Sequence, residues 1–428
     1  MFFIRRFILP VGQGAFYVER INDINIVYDC GSTDNQAKIP SLIKECFARK
    51  KTIEAVFISH LDKDHINGVE ELLKNCEVKR ICFPLITEEM KKVLEIKIMF
   101  EEAMGNRYSQ FTKEFIENPE ETVKKIIKDK EIELIEILPD DWDKKNDNKI
   151  DKNDNKIDKE IIKNSKIKRY REKSGENIAK KIKDLNGWEL IPYNFRQEIR
   201  INELKENLEK EFKEEIHLEK VEEIWKEGGE KKAKIKRAYI GVSGDLNTNS
   251  MTLFLGIRED KKEISLEKAE EVSKNNEDSE KKETDYNDCY IKKGCLYTGD
   301  YDVNGKQKWE KLEKAYQEYW KWIGFIQVPH HGSSKNCNDN LISKNAVYFL
   351  SAGRNNGYKH PSKDVVHDIT LKYGNNLYIV TEDKGLEVIL DSKIKIYNIF
   401  SSFSKTIENN QGDRLEIYIK ALYLRLNL

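Results

Sequence analysis

The 428-residue chain has few of the features that mark a secreted, fibrous or membrane-spanning protein. Its seven cysteines (30, 46, 76, 82, 289, 295 and 337) are odd in number, scattered and without a CxxC pair. That spacing argues against a disulfide framework and against a zinc ribbon. Reduced thiols fit a cytoplasmic protein. No apolar run approaches the roughly 20 residues that span a bilayer, so no membrane association is expected. Met1–Pro10 is apolar but broken by Arg5 and Arg6, and it reads as a first strand rather than a leader. There is no excess of either charge, with 75 Lys+Arg against 76 Asp+Glu. The balance excludes a histone-like polycation and a strongly acidic tail protein. Hydrophobic residues at 39% still leave material for a substantial core.

The chain divides by character. Residues 1–95 alternate short apolar runs with Gly turns and helical spacing, at Phe2–Leu9, Ala15–Glu19, Ile24–Tyr28, Ile39–Arg49, Ala55–Ile58, Ile66–Asn75 and Arg80–Pro84. This predicts layered α/β architecture. Residues 96–237 are Lys/Glu-rich with apolar positions at helical intervals, and read as a charged helical insertion. It holds a tandem heptapeptide, Lys145–Asp151 and Lys152–Asp158, which lacks the central Gly and closing Glu of an EF-hand and reads as an exposed loop. Patterning resumes over 238–390, at Ala238–Gly241, Met251–Ile257, Cys289–Tyr297, Phe325–Val328, Ala346–Leu350, Leu377–Val380 and Leu386–Leu390. Trp309–Trp322 reads as an aromatic amphipathic helix. A polar insertion covers 258–288, and 391–428 forms a β-prone extension.

Histidine is scarce, with seven in the chain, and five of the seven fall in three polar motifs. Ser59-His60-Leu61-Asp62-Lys63-Asp64-His65 follows a buried strand directly. A strand end points several side chains into one space, and neutral imidazole with carboxylate is the ligand set of zinc, manganese and iron. A lone His beside an Asp on a turn would mean little; four such groups in six residues point to a metal centre. The second motif is His330-His331-Gly332-Ser333, the third Tyr358-Lys359-His360-Pro361. Thr298-Gly299-Asp300 presents a carboxylate after a strand. His217 and His367 read as ordinary surface or packed histidines.

With these motifs in this order, the chain resembles the metallo-β-lactamase fold superfamily, and within it the soluble hydrolase domain of ComEC-type competence proteins. Val11–Gly14, Asp29–Gly31, Ser59–Gly68, Asn249-Ser250, Thr298–Asp300, His330–Ser333 and Tyr358–Ser362 carry the resemblance. It implies an α/β (α+β) four-layer αββα sandwich with a metal site at one edge. It also implies one or two divalent ions, manganese or zinc, with magnesium a further candidate. His60, Asp62, Asp64 and His65 are then metal ligands and Asp300 the bridge. His330 is preferred over His360 as the late ligand. Asp64 also has a catalytic role, with His331 and Ser333 on substrate, and Asp29 and Ser59 orient the ligands from behind. Asp62 stands where the commoner superfamily motif has His. No third-motif histidine lies between residues 66 and 299, which leaves the first metal position short of a ligand.

The expected function is a metal-dependent phosphodiesterase or nuclease acting on DNA through a metal-activated water. Lys335 and Lys359 are further candidates to stabilise charge. The alternatives are a hydrolase of small substrates, such as a cyclic-nucleotide phosphodiesterase or a lactonase/thioesterase, and a subunit of a defence assembly that docks a protein partner on the helical insertion. Basic stretches at Lys163–Lys173 and Lys231–Arg237 are candidate nucleic-acid tracks or simply solvated faces.

Overall fold

Neighbouring residues of single strands point into different cores, and this alternation lays out the architecture. Phe16 and Val18 pack on one side of their strand with Ile39, Leu42, Leu72 and Phe115 from helices. Tyr17, between them, packs on the other side with Leu253, Tyr297 and Phe349. In the second sheet Leu255 and Tyr297 face that same middle core, while Phe254 and Leu296 pack outward with Trp309, Leu312 and Tyr316. The result is helix, sheet, sheet, helix: the αββα sandwich of the metallo-β-lactamase fold. The computed structural model describes residues 4–127, 130–140, 142, 166–195, 198–242, 250–258, 292–390 and 394–400. The tandem heptapeptide, nearly all of the 258–288 insertion, Cys289 and residues 401–428 lie outside them.

Among the described residues the larger sheet has nine strands, ordered Ile394–Phe400, Lys384–Leu390, Ile4–Ile8, Phe16–Ile21, Ile24–Cys30, Ala55–Phe57, Arg80–Pro84, Ile132–Leu138 and Ile167–Lys173. The first five pair antiparallel, and pairing from Ile24–Cys30 onward is parallel. The second sheet orders Trp188–Tyr193, Thr252–Ile257, Gly294–Tyr297, Ile323–Gln327, Val347–Ser351 and Asn376–Val380. Its last three pairings are parallel. Parallel strands end on the same side, so the loops after Phe57, Tyr297 and Gln327 can converge at a sheet edge. The six described cysteines are buried and unbonded. No described helix is long and apolar enough to cross a membrane.

The structure corrects the reading of 96–237 as a helical arm. Ile132–Leu138 and Ile167–Lys173 extend the first sheet, and Trp188–Tyr193 is the edge of the second. The helical part is a cluster in which Val93, Ile96 and Phe100 of helix Glu88–Ala103 pack with Ile201, Leu204, Leu208, Trp225 and Ile235. Thr87 caps helix Glu88–Ala103, its side chain accepting from the Met90 amide, and two glutamates fill the first turn. Ala238, where ordered patterning is expected to resume, lies in the last turn of helix Gly229–Ile240. The helix expected over Trp309–Trp322 spans Lys306–Ala315 and continues as turns.

Candidate metal centre

Backbone contacts set the first motif before any side chain acts. A Cβ on Gly31 would lie 2.4 Å from the Asp64 carbonyl carbon, so only glycine lets the Asp29–Gly31 turn sit under the motif. The Ala15 amide donates to the Asp64 carbonyl at 3.0 Å. Asp29 is fully buried with φ of 55°. Its carboxylate accepts from the Ser59 amide and hydroxyl, both at 2.7 Å, and from His65 Nδ1 at 2.8 Å. These bonds hold a left-handed aspartate that would otherwise cost about 1–3 kcal/mol.

Asp300 arrives from the other sheet. Its amide donates to Ser250 Oγ at 2.7 Å. The preceding Thr298 and Gly299 amides donate to the Gln327 side-chain oxygen at 3.0 and 3.1 Å. Gly299 has φ of 54° and packs so closely on Ser59 that an added Cβ would sit 2.8 Å from the serine Cβ. His330 and His331 are consecutive left-handed residues.

The hydrogen-bond partners assign one tautomer to four imidazoles. His65 Nδ1 donates to Asp29, and His331 Nδ1 donates to the Ser351 carbonyl at 2.8 Å. His330 Nδ1 donates to the Asn336 side-chain oxygen at 2.9 Å. His60 Nδ1 lies 2.9 Å from Ser59 Oγ, whose proton is committed to Asp29, and 3.0 Å from Ser250 Oγ. Each ring therefore turns Nε2 toward the carboxylates. Asp300 Oδ1 is 3.2 Å from His65 Nε2 and 3.9 Å from His331 Nε2. Asp300 Oδ2 is 3.7 Å from His60 Nε2 and 3.6 Å from His330 Nε2. Asp64 Oδ2 is 3.2 Å from His331 and 3.9 Å from His65. Asp62 Oδ2 is 3.7 Å from His60.

Three of these atoms, His60 Nε2, His65 Nε2 and Asp300 Oδ1, are buried without a hydrogen-bond partner. Burying polar atoms unsatisfied is costly, so their convergence fits a cation. Two overlapping ligand groups result, His60–His65–Asp300 and Asp64–His65–His331. Electrostatics agree. Burial lowers the His65 pKa, but Asp300, Asp29 and Asp64 outweigh it and hold the ring well above its ordinary value. Burial raises Asp300 and Asp64, yet the surrounding imidazoles pull both well below the usual carboxylate range. Burial and the His65 charge push His60 down. The carboxylates draw positive charge into a largely buried space.

The remaining candidates lie around this centre. The His360 ring centroid is 5.5 Å from that of His330, and burial lowers its pKa to about 4. His360 stacks on Tyr358, which is 67% exposed. Ser333 is buried in the His330 turn, its amide donating to the His330 carbonyl at 2.9 Å. His331, read as a substrate residue, stands in the ligand cluster with Asp64 and His65. His217 and His367 are on the surface beside Glu215 and Asp368. Sequence reasoning missed Lys97, 1% exposed on helix Glu88–Ala103, whose Nζ donates to Asp62 Oδ1 at 2.5 Å. It also missed Gln327, Asn336 and the Ser351 carbonyl, which leave no chemical signature in a sequence. Ser250 stood among the motif landmarks without a role.

The basic stretches are largely balanced. Arg169 and Arg171 both pair with Glu136. Lys231 pairs with Glu227, and Arg237 with Glu211 and Glu230. Lys232 and Lys236 lie over the Trp225 ring.

The αββα sandwich thus carries, where its two sheets meet, a buried cluster of histidine and aspartate side chains that could hold a divalent ion. The family model of the Metallo-beta-lactamase superfamily matches residues 9–142, which include the first motif. Among solved structures the chain is similar to the metallo-beta-lactamase fold protein YhfI from Bacillus subtilis, at 8% identity and a TM-score of 0.33. That match covers 90% of this chain and 99% of that one. It is also similar to unliganded yeast PDE1, at 10% identity and a TM-score of 0.39, covering 89% and 98%. No curated protein matches the sequence.

Proposed function

We propose that the protein is a metal-dependent phosphodiesterase that cleaves nucleic acid, with DNA as the first substrate to test. The observation that carries the reading is the common tautomer of His60, His65, His330 and His331. All four Nδ1 atoms are tied to oxygen acceptors, and all four Nε2 atoms face Asp64 or Asp300. A divalent ion held there would supply a nucleophile from water at neutral pH and charge neutralisation for a phosphoryl oxygen. The chain's own residues do the rest. Asp29 and Ser59 fix the rings, and Asp64 is positioned to orient a water at the centre.

The surroundings favour an anionic, base-bearing substrate. Lys335 and Lys359 are exposed on the turns that carry His330 and His360. Exposed Tyr358, stacked on His360, offers a face to an unpaired base. A simple lactone would use neither feature. The ComEC-type likeness of the motifs points the same way.

The direct test is a hydrolysis panel on the purified protein. It covers single- and double-stranded DNA, RNA, cyclic dinucleotides and a lactone, each with manganese, magnesium, zinc or chelator. We expect metal-dependent cleavage of a polynucleotide that is lost in Asp64→Ala. Turnover of cyclic dinucleotides or lactone alone would overturn the reading. A second measurement addresses the base. Tyr358→Ala is expected to raise KM for single-stranded DNA about tenfold, within the range of one lost base stack. Turnover of bis(4-nitrophenyl) phosphate should stay within about twofold, because that ester has no nucleobase to stack. An equal loss on both substrates would assign Tyr358 to the loop's structure instead.

A further inference from the structure

The buried lysine beside the centre has a consequence for how many ions it holds. Lysine is almost never fully buried unless paired. Lys97 donates to Asp62 Oδ1 at 2.5 Å and lies 3.7 Å from Glu101. It cannot swing away cheaply. Its helix is fixed one residue before it by Ile96 and one turn either side by Val93 and Phe100, all packed in the helical cluster. The two sides of Asp300 are therefore unlike. On the Oδ1 side stand Asp64, His65 and His331. On the Oδ2 side stand His60, His330 and Asp62, and the Asp62 carboxylate already carries an ammonium on its other oxygen. What meets His60 from the segment leading into Thr252–Ile257 is the Ser250 hydroxyl, not a further imidazole.

We propose that Lys97 makes the centre unequal. The chain holds one divalent ion firmly on the Asp64–His65–His331 side of Asp300, and Lys97 excludes a second firmly held ion from the His60–Asp62 side. A fixed positive charge against one ligand opposes a divalent cation at that ligand, and burial strengthens the opposition. The helical cluster thus has a chemical role, since it sets where the ammonium sits. The proposal rests on the metal-dependent hydrolase reading and is independent of the substrate.

The test is ion stoichiometry, not turnover. The full chain is saturated with Mn²⁺, and separately with Zn²⁺, dialysed, and assayed by plasma mass spectrometry and titration calorimetry. We expect about one ion per chain in the wild type. Lys97→Met should take up a second ion and give the exchange-coupled Mn²⁺ resonance that the wild type lacks. Lys97→Arg and Asp62→Asn should both stay at one. Asp62→Asn serves if Lys97→Met does not fold, because a centre of two firmly held ions would lose one of them on that change. Two ions retained by the wild type, or no gain in folded Lys97→Met, would overturn the proposal and leave the hydrolase reading standing. Retention of no ion by any variant would overturn both.

Discussion

Asp300→Ala is expected to release metal from the protein and to lower kcat/KM by about a thousandfold or more, as loss of several kcal/mol of charge stabilisation implies. Among the described residues Asp300 is the one whose two oxygens face both groups of imidazoles, Oδ1 toward His65 and His331, Oδ2 toward His60 and His330. Removing it deprives four rings of their shared counter-charge at once. The His60 and His65 rings, their centroids 4.1 Å apart, then lose the carboxylate that both face. Asp62→Ala should be milder, because Asp62 faces one imidazole and is already neutralised by Lys97. The comparison is made on metal content and on initial rates with whichever substrate the hydrolysis panel identifies. Equal losses in the two variants would reject the bridging role of Asp300. Circular dichroism separates a lost ion from a lost fold.

The parts of this site that could be read from sequence are those whose chemistry sits in short order beside a strand. Ser59 through His65 is legible because two imidazoles and two carboxylates follow an apolar run with no solvated explanation. The strands Phe16–Ile21, Ile24–Cys30 and Ala55–Phe57 are legible because apolar runs end in Gly turns. Lys97 is not legible. It lies 35 residues from Asp62 in a segment full of lysine, and only packing of Val93, Ile96 and Phe100 tells it from its exposed neighbours. Ile132–Leu138 and Ile167–Lys173 were hidden for opposite reasons. The first is mostly buried and so lacks a clean alternation. The second is an edge strand whose exposed residues are Arg169, Tyr170, Arg171 and Lys173. The tautomers of the four histidines depend on Asn336, the Ser351 carbonyl and two serines, which gather only when both sheets have formed.

Glu19→Ala is expected to destabilise the protein by about 3–5 kcal/mol, the cost of leaving a buried charge without its partner. Arg6 and Glu19 stand directly opposite on adjacent antiparallel strands. Both point into the core between the two sheets, since Ile4, Ile8, Tyr17 and Ile21 of the same strands pack there. Arg6 is 0% exposed and Glu19 2%. The guanidinium bonds Glu19, donates to the Lys293 carbonyl at 3.3 Å and lies 4.5 Å over the Phe325 ring. Tyr297 donates to the same Glu19 oxygen at 2.7 Å. Without Glu19, the arginine keeps its charge, because guanidinium does not deprotonate in proteins. Water cannot reach it, and a second of its nitrogens, Nη1, is already unpartnered. The double change Arg6→Met with Glu19→Leu removes both charges and fills similar volume, and it should recover most of the loss or exceed the wild type. Urea unfolding of the three proteins separates these outcomes, with the midpoint shifting left for Glu19→Ala and returning for the double variant. If Glu19→Ala unfolded at the wild-type midpoint, the pair would have to be solvated. The sandwich would then be looser at Arg6 than its burial states, and Tyr297, three residues before Asp300, would have lost its anchor without consequence.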